Sequence, residues 1–288
     1  MARVVLITND SLHGQRVLQA IWQRGIVVDE VLYLTGRLGL PVRRGMGLAG
    51  RVLRWPKSAF GTLGRRVRFH RERKAKYAMR CARVTDAGVK NGRRLLRRLH
   101  ALQPDWIILG GSGILREEVI RTARRGVLNA HPALLPWVRG CGVIGAALEH
   151  GVALGATLHY VDRGIDTGAV IERRLIPVAP GGAELDALDQ ACMELAAEMM
   201  ADAVESIVRR GEVAAGTAQT VRYPLFRWPD AAGKVRHQAL AAAGRAYELY
   251  EAWRPLCVDD ARGLLPAGEL QAPPVLALEP VAAPALLR

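Results

Sequence analysis

The chain opens on Arg3-Val4-Val5-Leu6-Ile7-Thr8-Asn9-Asp10, runs from Ser11 to Trp22, and returns to Asp29-Glu30-Val31-Leu32-Tyr33-Leu34. The first stretch is a short apolar run closed by polar residues, which predicts a buried strand over 3–10. Gln15, Val17, Leu18, Ile21 and Trp22 follow at helical spacing, and Asp29–Leu34 gives a second strand. Strand, helix and strand in quick succession predict a parallel sheet closed by crossovers, an α/β fold.

The same alternation resumes downstream. A helix is expected over about Asp86–Leu102, then a continuous apolar strand, Asp105-Trp106-Ile107-Ile108-Leu109, cut off by Gly110-Gly111-Ser112-Gly113. A short helix over Arg116–Arg124 and a strand over Gly126–Asn129 follow. Val143–His150 reads as a helix, Ala156–Val161 and Ala169–Pro177 as strands, and Glu184–Arg210 as a long helix. The methionines of that last helix read as core packing. After Gly211 the character changes. Thr217–Trp228 reads as a hairpin or extended arm limited by Pro224 and Pro229, and 233–255 as one helix. Pro and Ala then crowd the sequence. The expected organisation is a domain over 1–211, a small C-terminal extension over 212–262 and a flexible tail over 263–288.

With 288 residues, half of them hydrophobic, the chain can bury a sizeable α/β core. It holds no apolar run long enough to span a bilayer, and its N-terminus reads as a strand rather than a leader. A cytoplasmic protein is expected. Cys81, Cys141, Cys192 and Cys257 are scattered without a CxxC pair, which speaks against a zinc site or a disulfide framework; no metal is expected. Cys141 lies just after a histidine motif, but no activating base is adjacent in sequence. The formal charge of +14 is concentrated. Between Arg37 and Arg83 stand 15 Lys or Arg and one acid, Glu72, while the remainder is neutral. This basic segment, about 37–83, suits an RNA backbone, a phosphorylated small substrate or an anionic membrane surface. A solvated insertion without a partner is the alternative, and no DNA partner is expected.

The chemistry concentrates in two segments, Asn129-Ala130-His131-Pro132-Ala133-Leu134-Leu135-Pro136 and Val161-Asp162-Arg163-Gly164-Ile165-Asp166-Thr167-Gly168. They offer an amide, an imidazole and a carboxylate, each beside turn-forming residues. Acyl transfer to an amine needs donors aimed at an oxyanion and a group that moves protons. Asn129 and His131, two apart on an extended segment, project to one side. Asp166 is suited to orienting the imidazole and managing protons. Ser11 reads first as a helix N-cap. Ser11 and His13 at the helix start are also candidates for holding a phosphate or carboxylate, and Asn9 and Asp10 for contacting a polar acceptor.

His131-Pro132-Ala133-Leu134-Leu135-Pro136 with Gly140, Gly155–His159, and Asp166-Thr167-Gly168 resemble the formyltransferase family that uses 10-formyltetrahydrofolate. The likeness covers roughly residues 100–178, and the first strand and helix loosely. It implies a Rossmann-like formyltransferase fold, with Asn129, His131 and Asp166 as the catalytic trio. It also implies a folate pocket lined by Gly111, Ser112, Gly113, Ile114, Leu115, Val161, Gly164, Ile165 and Gly168. Ala133 stands where the family commonly has Ser, the basic segment is longer than the family pattern, and the part beyond Gly211 matches no family domain. The reading is formyl transfer to an amine on a small anionic acceptor, of the amino sugar nucleotide or glycinamide ribotide type. The alternatives are a methionyl-tRNA formyltransferase-like enzyme, a hydrolase of the same folate, and a catalytically idle protein that binds nucleic acid or membrane.

Overall fold

A computed structural model describes residues 2–9, 11–34, 77, 80–268 and 270. The expected substrate contact Asp10 lies outside the described residues. So does most of the basic segment 37–83, of which only Tyr77 and residues 80–83 are described.

The first unit is as read: strand β1 (Val4–Thr8), helix α1 (Leu12–Gln23) and strand β2 (Glu30–Leu34). Next come β3 (Val84–Gly88), α2 (Arg93–Leu102), β4 (Trp106–Gly110), the short α3 (Glu117–Ile120) and β5 (Gly126–His131). After a short strand β6 (Arg139–Gly140) come α4 (Val143–His150), β7 (Gly155–Tyr160), β8 (Val170–Leu175) and the long α5 (Leu185–Arg210). The C-terminal part adds β9 (Leu225–Phe226), α6 (Ala231–Ala242), α7 (Arg245–Trp253) and β10 (Leu264–Leu265). Among the described residues, eight strands form one sheet in the order β10-β8-β7-β5-β4-β1-β2-β3, while β6 and β9 pair by themselves. Neighbours from β3 to β5 are parallel, and β7, β8 and β10 are added antiparallel. Chain order reverses at β1, between β2 and β4, and such a switch point opens a crevice at the carboxyl edge of the sheet.

The packing explains the hydrophobic pattern. Val17, Leu18 and Ile21 of α1 and Ala196, Met199, Ala203, Val204 and Ile207 of α5 are buried on one face of the sheet. Each such Leu or Ile contributes about 1.5–3 kcal/mol by leaving water. Leu95, Leu99 and Val119 cover the other face. A third cluster joins Leu134, Trp137 and α4 to Leu249 and Trp253 of the C-terminal extension, so the extension shares the domain's core. Among the described residues no helix is long and apolar enough to cross a membrane.

Four expectations are corrected. The helix expected from Asp86 begins at Arg93, because Val84–Gly88 pairs with β2 and Asp86 Oδ1 accepts the Gly88 N–H, turning the chain. The helix expected over Arg116–Arg124 stops at Ile120, since the Arg124 and Arg125 N–H groups donate to Pro104 and Asp105 carbonyls instead. The single helix expected over 233–255 is two, broken at Gly244 with φ +85°, where the loop at Gly181 and Gly182 packs in and the Ala183 N–H takes the Ala241 carbonyl. The segment expected to be flexible from 263 begins with β10, which extends the sheet beside β8 with Leu265 buried.

Candidate active site

Three strand ends meet beside the switch point. β4 ends at Gly110, after which Gly111 (φ +74°) and Gly113 (φ +70°) bend the chain in a left-handed geometry that a Cβ disfavours. An added Cβ at Gly111 would stand 2.2 Å from Ser11 Oγ, so the glycine also keeps this turn against the start of α1. Ser11 caps α1, accepting from the Gly14 N–H at 3.2 Å and donating to the Gly110 carbonyl at 3.0 Å. Asn9 accepts the Ser11 N–H at 3.1 Å. These two side chains thus serve the turn itself.

β5 carries Asn129 and His131 on one side of the sheet, and β7 runs antiparallel beside it, placing His159 opposite Asn129 and Thr157 opposite His131. Asp166 stands on the loop after β7 with φ +54°, a left-handed conformation uncommon for a residue with a side chain. Asp162 shapes that loop, accepting from the Gly164 N–H at 2.9 Å and the Thr167 hydroxyl at 2.7 Å. The Asp166 carboxylate accepts the Gly140 N–H at 2.9 Å and lies 3.8 Å from His131 Nδ1 and 3.9 Å from His159 Nε2.

The hydrogen bonds constrain the tautomers. His131 Nε2 is 3.1 Å from the Val138 carbonyl, which can only accept, so Nε2 carries hydrogen. Nδ1 faces Asp166. His159 Nδ1 lies 2.8 Å from the Tyr160 carbonyl and must donate, leaving Nε2 to accept the Asn129 amide N–H at 3.1 Å. Burial, with a smaller contribution from the charge of His131, pushes His159 down to about 4 against the favourable pull of Asp166, so it is neutral at pH 7. His159 therefore fixes the amide of Asn129 with one N–H taken, and the other has no partner among the described residues. His13 is buried near Arg16 and His131, and burial foremost lowers it to about 4. Neither of its ring nitrogens has a hydrogen-bond partner among the described residues.

Asn129, His131, His159 and Asp166 open on a cavity of about 640 Å³. Of the residues expected from the sequence, Asn129, His131, Asp166, Gly111, Ser112, Gly113, Ile114, Leu115, Val161, Gly164 and Ile165 all line it. Gly168 does not; it lies behind the wall, where an added Cβ would fall 1.8 Å from the Tyr160 carbonyl oxygen. Asn9, Ser11 and His13 are also outside the lining. His159 and the arm residues Leu225, Phe226, Arg227 and Trp228 line the cavity without having been singled out as site residues, and so does Cys141, which the sequence left without an adjacent activating base. The pairing of Asn129 with His159 becomes visible only through the antiparallel register. The run Tyr223-Pro224-Leu225-Phe226-Arg227-Trp228-Pro229 was a usable signal, an aromatic cluster in an aromatic-poor chain.

A family model described as formyl transferase matches residues 1–204. The chain belongs to the formyl transferase family. It is 33% identical over 125 residues to a methionyl-tRNA formyltransferase of Thermotoga neapolitana, covering 43% of this chain and 39% of that protein. It is 41% identical over 92 residues to the trifunctional purine biosynthetic protein adenosine-3 of Drosophila pseudoobscura pseudoobscura, 31% of this chain and 7% of that protein. The chain thus spans less than half the length of these curated relatives. Among solved structures, a 4-N formyltransferase from Francisella tularensis superposes with a TM-score of 0.52 at 13% identity, over 83% of this chain and 87% of that one. The formyltransferase PseJ from Anoxybacillus kamchatkensis, in complex with UDP-4,6-dideoxy-4-formamido-L-AltNAc and tetrahydrofolate, gives a TM-score of 0.50 at 15% identity, over 84% and 99%. At these identities the likeness shows a shared fold of formyl transferases.

Proposed function

We propose that this chain transfers a formyl group from 10-formyltetrahydrofolate to the amine of a small anionic acceptor, an amino sugar nucleotide or a glycinamide ribotide. The observation that carries the reading is the convergence of Asn129, His131 and Asp166 on one cavity, with His131 Nδ1 3.8 Å from the Asp166 carboxylate. Membership of the formyl transferase family and the tetrahydrofolate bound to PseJ support it. In this reading the loops 111–115 and 161–165 hold the folate. The acceptor nitrogen attacks the formyl carbon, and the carbonyl oxygen becomes an oxyanion that the free Asn129 N–H and His131 stabilise. The attacking nitrogen sheds a proton towards Asp166 through a water. The folate nitrogen gains one, and the carbon–nitrogen bond to folate breaks.

Tetrahydrofolate release, followed with and without a panel of amines, tests this. Asp166→Ala is expected to keep the fold and lose roughly 100-fold or more of turnover; near-normal turnover would remove Asp166 from the mechanism. Release without any amine would favour the hydrolase reading. The second reading, formylation of an aminoacyl-tRNA, is favoured by the charge excess between Arg37 and Arg83 and by the methionyl-tRNA formyltransferase relative. No folate binding combined with tight binding to RNA or anionic lipid would favour an idle binding protein.

A further inference from the structure

The segment after Gly211 reads in sequence as an appendage, yet it grips the loop that carries Asp166 at three places. Thr217 and Val170 exchange backbone hydrogen bonds at 2.7 and 2.8 Å, fastening the arm to the strand that follows the loop. Arg139 donates to the Tyr223 carbonyl at 3.1 and 2.9 Å through Nε and Nη2, and to the Ile165 carbonyl at 3.1 Å through Nη1, tying arm and loop together. Between these anchors, the Gln219 side-chain amide donates to the Asp166 carbonyl at 3.1 Å and to the Gly168 carbonyl at 2.7 Å. Both of its N–H groups are thereby committed to two carbonyls that flank the turn.

The turn needs such a hold. Asp166 sits at φ +54°, a conformation that persists in a residue with a Cβ when its surroundings determine it. Among the described residues its carboxylate makes one hydrogen bond of normal length, from the Gly140 N–H at 2.9 Å, and faces the two histidines at 3.8 and 3.9 Å. A rotation about the N–Cα bond of Asp166, out of φ +54°, would turn its carbonyl off Gln219 and swing the carboxylate away from His131 Nδ1. We infer that Gln219 is a positioning residue of the active site, holding Asp166 in the backbone conformation that aims its carboxylate between His131 and the Gly140 N–H. The C-terminal arm then completes the site instead of decorating it. The inference rests on the formyl-transfer reading for its effect on turnover, and on geometry alone for its effect on the Asp166 loop.

The two are tested separately in the full chain. Gln219→Met keeps length and volume and removes both donors; Gln219→Lys keeps donors on a side chain one atom longer. Amide exchange reads the geometry without any substrate. In Gln219→Met the Gly140 N–H is expected to exchange roughly 10-fold faster, the loss of about one hydrogen bond's net stabilisation, while the Val170 and Thr217 amides keep their protection. Unchanged protection at Gly140 would overturn the inference, and equal loss at Val170 and Thr217 would mean the arm simply detaches. Turnover reads the consequence: kcat falls roughly 10-fold with the folate KM nearly unchanged, and Gln219→Lys recovers part of the loss. In an Asp166→Ala background Gln219→Met should cost nothing further, because both act through one carboxylate. Additive losses would show that Gln219 acts elsewhere. If no amine supports turnover in the parent chain, the formyl-transfer reading fails while the exchange result still decides whether Gln219 holds the loop.

Discussion

His159 and His13 are both buried and both held low, to about 4, with burial as the main cause. A neutral imidazole at the centre of a polar site is a consequence of that burial, and it lets His159 accept from Asn129 without adding charge beside His131. It also sets a dependence of stability on pH. The folded-state value lies below the ordinary value of 6.5. Above about 6.5 neither state binds the proton and the stability is fully present. As pH falls from about 6.5 towards about 4, the unfolded chain takes up protons that the folded one refuses, and stability is lost. Urea unfolding at pH 7.5 and pH 5 is expected to show this loss, and the double variant His13→Phe, His159→Phe should show a shallower one. An equal loss in both proteins would mean that other groups carry the acid sensitivity. Asn129, His131 and Asp166 were legible in the sequence as candidates because His131 precedes Pro132 with Asn129 two residues before it, and Asp166 lies between Gly164 and Gly168, where a strand gives way to a loop. His159 was not, because in Thr157-Leu158-His159 it looks like an ordinary strand position. Its meaning comes from a partner 30 residues away. Gln219 was invisible for the same reason at longer range, 53 residues from Asp166.

Between elements, the packing of α4 on α6 ties the C-terminal extension to the domain, and one residue controls the approach. A Cβ built on Gly145 would stand 1.9 Å from His237 Nδ1 and 2.3 Å from its Cγ. His237 cannot easily swing away, since it is buried and its Nε2 pairs with Glu149 at 2.9 Å. Gly145→Ala therefore forces the two helices apart despite the better helix propensity of Ala, and overpacking of this kind destabilises by roughly 1–3 kcal/mol. A fall in the urea midpoint with an unchanged m-value is the expected result; a rise would show that the helices yield freely. Elements with strong periodicity, such as α1 and α5, and the apolar strands β1, β2 and β4 were readable from local pattern. β3 was not, because Val84-Thr85-Asp86-Ala87-Gly88 is only half-buried at the sheet edge and carries little apolar signal. The break between α6 and α7 was hidden because a single glycine inside a helical pattern signals a kink only when something packs against it, here the loop at Gly181 and Gly182.

At the scale of the whole molecule, charge and topology point the same way. β1, β4 and β5 end at the carboxyl edge of the sheet, where the cavity opens, and β2 runs parallel to β1. The chain thus leaves Leu34 at that same edge before returning as β3, and the sequence between them holds nearly all the excess positive charge. Under the proposed formyl transfer, a basic segment that leaves the sheet at that edge is expected to contribute to binding of an anionic acceptor and its dependence on salt, and not to the reacting atoms. Ionic strength then separates the two acceptor classes. An RNA that exchanges counterions at six to ten phosphates loses roughly 1,000-fold or more of its affinity between 50 and 200 mM salt, whereas an acceptor with one or two phosphates loses about 10-fold or less. Measured as kcat/KM for each acceptor across that range, the shallow dependence is expected here, with the folate KM nearly constant. Replacing Arg65, Arg66 and Arg68 with Gln should flatten it further and raise the acceptor KM alone. A steep dependence that collapses in the same variant would reassign the chain to an RNA acceptor, and no dependence in either protein would leave the segment without an electrostatic role in catalysis.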